Sequence, residues 1–322
     1  LTLVRKSLGA ASPKANALFH GFTISTPFAF GNNPTAPSPY GYFGAGYDPF
    51  TSIVDRVDYS NDTTTASLKG PLPLALLGLA ATGNSSHGYF GGGSSTGDVI
   101  KSDVARLDYS NDNIDLSTRG PLAYARKFIA AAGNKDYGYW GAGYIPGIMS
   151  NVSRIDYSTD TAVAVEKGPL SAARLYLAAT GNQNYGYFCG GSSPKFSTID
   201  RIDYSNDTVA ATAKGPLTVA RAQLAATGNA DYGYVGAGYD PFMSTVDRIS
   251  YASDTATTVV KGPLHVGILG LAATGNSSHG YFGGGEVPGA NLSSVDRVDY
   301  ANDTVAATAK GPLTVDRKYL AA

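Results

Sequence analysis

One tyrosine recurs through this chain at intervals of 47 to 50 residues, as Tyr59, Tyr109, Tyr157, Tyr204, Tyr251 and Tyr300. Each is followed eleven residues later by the glycine of a Gly-Pro-Leu tripeptide: Gly70, Gly120, Gly168, Gly215, Gly262 and Gly311. A unit of this length cannot bury its apolar face alone, so successive units must pack on one another. Within one unit, 174–180 reads as a strand and is followed by a Gly-Asn turn. Segment 185–191 is a second strand ending in glycines, and 198–204 alternates as a third. Ser205-Asn206-Asp207-Thr208 is turn chemistry, and 209–214 is a fourth strand broken by Gly-Pro. Four short strands with their connections fill the period, which predicts an all-β propeller of four-stranded blades.

Spacing within the unit is uneven in a useful way. The distance from the Gly-Tyr glycine to the end of the glycine triplet is 5 in all six copies. The distance from the third-strand arginine to the Gly-Pro-Leu glycine is 14 in all six. Only the stretch from triplet to arginine varies: 10, 13, 11, 10, 10 and 12. Insertions are therefore confined to the loop between second and third strands, and in an up-and-down blade these loops emerge on one face. Loops on a rigid scaffold are where recognition is usually placed. They carry Tyr47, Asp48, Phe50, Tyr144, Phe196, Tyr239, Asp240 and Phe242. Aromatic faces beside carboxylates and amides suit a sugar ring and its hydroxyls. Contact with a neighbouring subunit, or simple packing of the loops onto the blade edges, uses the same residues.

The remaining chemistry is structural. Arginine and aspartate two residues apart share a strand face, as in Arg56/Asp58, Arg154/Asp156, Arg201/Asp203 and Arg297/Asp299, and predict a ring of ion pairs between blades. Near-equivalent copies of one constellation argue against catalysis, because an active site is normally asymmetric. His20, His87, His265 and His279 form no metal-ligand spacing with one another or with Cys189, so no metal or cofactor is expected. Glycine triplets without a following helix are not phosphate loops. Charge is sparse, 15%, and nearly balanced at −1, which leaves no basic stripe for nucleic acid. No apolar run is long enough to span a bilayer as a helix. The chain opens on Leu1 inside repeat-like sequence, and the expectation is processing or a longer parent.

The glycines closing the second strand, the Val-Asp-Arg-Ile-Asp-Tyr type third strand and the arginine opening the next unit resemble the kelch repeat over residues 40–322. The kelch fourth-strand tryptophan is missing, and Leu76 and Ile268 replace the opening arginine in two copies. Wording such as Gly-Tyr-Phe-Gly-Gly-Gly and Lys-Gly-Pro-Leu is similar to repeat proteins of marine phages, especially those infecting cyanobacteria. That likeness implies a virion or fibre component located on a particle or outside cells. It also implies other virion proteins or a surface glycan as partners, with no membrane insertion and with room for homo-oligomers. A glycan-active enzyme, or a lectin unconnected with a virion, is the alternative.

Repeats fall near 40–70, 71–120, 121–168, 169–215, 216–262 and 263–311. Residues 1–11 and 313–322 both match the start of a unit. Either 313–322 closes the first of six blades and 1–39 is an arm or partial blade, or a seventh blade is built from both ends. Six is the preferred count, and joining both ends within one blade removes an open sheet edge.

Overall fold

A computed structural model describes residues 38–239 and 241–322 of the chain. They form six four-stranded antiparallel sheets arranged as the blades of a propeller. In the second blade the strands are Ala80–Gly83, His87–Gly91, Val104–Asp108 and Ser117–Arg119, hydrogen-bonded in sequence order from the axis outward. The other blades repeat this order. The first contributes only Tyr40–Gly44, Val54–Asp58 and Ser67–Lys69 from its own segment. Its innermost position is taken by the C-terminus: Gly44 and Ala321 exchange backbone hydrogen bonds of 2.8 and 3.0 Å. The count is six, not seven. The proposed N-terminal arm falls, up to residue 37, outside the described residues.

The aspartate of each Asn-Asp turn, or of its equivalent, is the joint between blades. Asp112 of the second blade accepts from three side chains of the first: the Tyr42 hydroxyl at 2.9 Å, Arg56 at 2.8 Å and Lys69 at 3.2 Å. Asp160, Asp207, Asp254 and Asp303 repeat the joint. Asp62 completes the ring with Tyr281, Arg297 and Lys310 of the sixth blade. The repeated tyrosine stacks on the second-strand tyrosine of the preceding blade, with centroids 4.4–5.3 Å apart, and the Tyr59–Tyr281 pair joins the first blade to the last.

The Gly-Pro-Leu glycine belongs to the same joint. Its N–H donates to the backbone carbonyl of the next blade's turn aspartate at 2.7–2.9 Å. A Cβ there would lie 1.8–2.0 Å from a carbonyl oxygen of that turn, so no other residue fits without moving the blades apart.

These contacts correct the expected ion pairs. Arg56, Arg154, Arg201 and Arg297 do bridge blades, but their partners are Asp112, Asp207, Asp254 and Asp62. Asp58, Asp156 and Asp203 instead accept from the backbone N–H and hydroxyl two residues on, and Asp299 accepts from the N–H of Ala301. They sit where the strand gives way to a turn, and orphan N–H groups there claim the carboxylate before an arginine reaches it.

A second set of charges lies inside three of the blades. Arg174–Asp200, Arg221–Asp247 and Arg317–Asp55 are ion pairs of 2.7–2.9 Å with both side chains fully buried. Each of these arginines also donates to backbone carbonyls of the second strand or the turn that follows it. Arg126 has Ser153 in place of the carboxylate, and burial pushes its pKa down to about 10.

Candidate functional site

The last residues of each second strand pair with the first of the innermost strand, so the loops between second and third strands surround the axis at one end. The three longest of these loops, in the second, third and sixth blades, fold into two-residue ribbons such as Ser94–Ser95 with Val99–Ile100. The axis itself is closed at this end by a cyclic set of backbone hydrogen bonds. Phe128 donates to Gly78, Tyr176 to Phe128, Gln223 to Tyr176, Gly270 to Gln223, Tyr319 to Gly270 and Gly78 to Tyr319, at 2.6–3.0 Å. The ring forces positive φ at all six positions, between 55° and 66°. Four of them are not glycine, so the backbone holds strain that the closed cycle imposes.

Side chains from this ring make an aromatic cluster on the axis. Phe128 and Tyr176 have centroids 4.1 Å apart, and each lies 5.9 Å from Tyr319. Gln223 completes the set with an amide oxygen that has no hydrogen-bond partner among the described residues. Burial raises the Tyr176 and Tyr319 phenols, so both remain neutral hydroxyls at working pH. Lysines lie where loops of neighbouring blades meet, two of them against the cluster. Lys127 pairs with Asp98 and lies near the Phe128 and Tyr144 rings. Lys318 pairs with Glu286 at 2.7 Å and lies 5.9 Å from the Tyr47 ring and 5.8 Å from that of Tyr319. Lys195 lies 4.9 Å from the Tyr239 ring. Burial disfavours the Lys318 ammonium, but Glu286 outweighs that and raises its pKa; hydrogen bonding to Lys127 holds Asp98 below the ordinary carboxylate range.

The expected contact residues divide into two kinds. Tyr47 and Tyr239 are exposed, at 37% and 42%. Phe50 and Phe242 meet them edge-on from half-buried positions and prop them up. Phe196 is half-buried 5.6 Å from the Arg174 guanidinium, and Tyr144 is half-buried beside Lys127. Asp48 is exposed, and its carbonyl accepts from Asn291 of the neighbouring loop at 3.0 Å. Asp240 lies outside the described residues. The axial residues were missed from sequence. Their signal was a single variable column, Gly, Phe, Tyr, Gln, Gly, Tyr, inside an otherwise repetitive strand opening.

Among the described residues no group of three or more His, Cys, Asp or Glu side chains could hold a metal ion. Cys189 is fully buried, and burial pushes its thiol up to about 12, which removes it as a nucleophile. Set against protein-family models and against curated proteins, the chain matches none.

Proposed function

We propose that the protein is a non-enzymatic attachment or structural module, whose loop face grips a surface glycan or a partner protein of a phage-like particle. The observation that carries this reading is the axial cluster of Phe128, Tyr176 and Tyr319 inside a rim of lysines, acids and exposed tyrosines. Aromatic faces take the apolar side of a sugar ring, while neutral phenols and the Gln223 amide exchange hydrogen bonds with hydroxyls. The particle setting and the kelch-like descent rest on the repeat wording and spacing alone.

A glycan array probed with the purified chain, followed by a hydrolysis assay on each bound glycan, tests the proposal. Retention without turnover is expected, together with about tenfold weaker binding after Tyr176→Ala or Tyr319→Ala. Turnover of any glycan would make the protein an enzyme. Undiminished binding in both variants would move the site off the axis.

A further inference from the structure

We propose that a cavity in the second blade binds a cation carried on an aliphatic stem, the chemistry of an arginine side chain. The observation is a coordinated change at three positions. Four blades bury an arginine, Arg126, Arg174, Arg221 or Arg317, at the opening of the innermost strand; the second blade has Leu76 there. In three of those four, the arginine meets a buried aspartate that also accepts an N–H from Ser171, Thr218 or Thr314. The second blade has Ala105 for the aspartate and Pro73, which has no N–H, for the donor. The arginine, the aspartate and the N–H donor are absent together, so no side-chain charge is left without its counter-ion.

At these positions lies a cavity of ≈ 250 Å³ lined by Leu72, Leu74, Leu76, Phe90, Asp103 and Val104. An apolar cavity of about 150 Å³ already admits a benzene-sized group. The positions that receive Arg126 in the third blade are the carbonyls of Trp140, Ala142 and Asn151. Their equivalents in the second blade are Phe90, Gly92 and Asp103, two of which line the cavity. Asp103 is exposed and adds a negative charge to the lining. An apolar wall, two of the backbone positions that hold Arg126 in the third blade and one carboxylate together favour an alkyl cation over a neutral hydrocarbon.

The test is titration of the whole chain with n-butylguanidinium, followed through the methyl resonances of Leu72, Leu74, Leu76 and Val104. 1-Pentanol is the neutral control. An acetyl-Gly-Arg-Gly-amide peptide distinguishes a partner's arginine from a free guanidinium. Saturable binding on the order of millimolar is expected for the guanidinium, several-fold tighter than for pentanol. The surface change Asp103→Asn should erase that preference. The double change Leu76→Arg with Ala105→Asp installs the residue pair of the first, fourth and fifth blades and should abolish binding while leaving the thermal transition at or above its original temperature. Equal or tighter binding of pentanol, no shift of these methyls, or binding that survives the filled cavity would overturn the proposal.

Discussion

At the residue scale the turn aspartate dominates. Asp207 is 6% exposed and takes Tyr139, Arg154 and Lys167 from the preceding blade. Removing it leaves two cations and a buried hydroxyl without their acceptor. Asp207→Ala is expected to cost about 3 kcal/mol, read as a lower denaturation midpoint at unchanged slope. The same joints set the acid response. Burial pushes Asp62, Asp207 and Asp303 upward, but the phenol, ammonium and guanidinium around each outweigh it, and all three carboxyls titrate below their ordinary range. A carboxylate with a depressed folded pKa adds stability that is complete above its unfolded value of about 3.9 and is lost as pH falls through the folded value. The unfolding midpoint contribution of these joints should therefore hold flat from neutral pH down to about pH 5 and decline steeply below about 4. A variant lacking one joint, such as Asp303→Asn, should show a shallower decline in the same titration. Parallel curves for variant and parent would contradict the assignment.

At the scale of the strand, second-strand packing runs from blade to blade. Gly44, Gly91, Gly141, Gly236 and Gly283 each face an aromatic of the next blade, so close that a Cβ would sit 2.6–2.9 Å from it. The fourth blade has Cys189 at this position, and its neighbour in the fifth is Val235 in place of an aromatic. The two exceptions compensate in volume. Val235→Phe alone should overpack and cost about 1–3 kcal/mol, Cys189→Gly alone should leave a gap, and the double variant should recover at least about 1 kcal/mol of the summed loss. Additive single effects would refute the pairing.

These strands were legible in the sequence because alternation, glycine position and turn residues all repeat with fixed spacing. The candidate site was legible in part. Loop lengths located the face and named Tyr47 and Tyr239, but the axial ring of Phe128, Tyr176, Gln223 and Tyr319 depends on closure around the axis, which no single unit contains. The arginine partners were misassigned for the same reason. Sharing a strand face is a local property, whereas the carboxylate that Arg56 reaches belongs to the next sheet.

At the scale of the whole molecule, six similar joints make one ring, and the joint between the sixth and first blades is built from the same parts as the internal ones. Phe43, Val57, Tyr281 and Val295 form an apolar cluster across it, as their counterparts do elsewhere in the ring. The loop face, the axial cluster and the hydrogen-bond cycle beneath it all require that closure. A pair of double-mutant cycles on unfolding free energy tests it most directly: Asp62→Ala with Arg297→Ala across the closing joint, and Asp112→Ala with Arg56→Ala across an internal one. The closed ring predicts coupling of similar size in both, about 1–3 kcal/mol. Coupling at the internal joint with less than about 0.3 kcal/mol at the closing joint would describe an open stack and contradict the account.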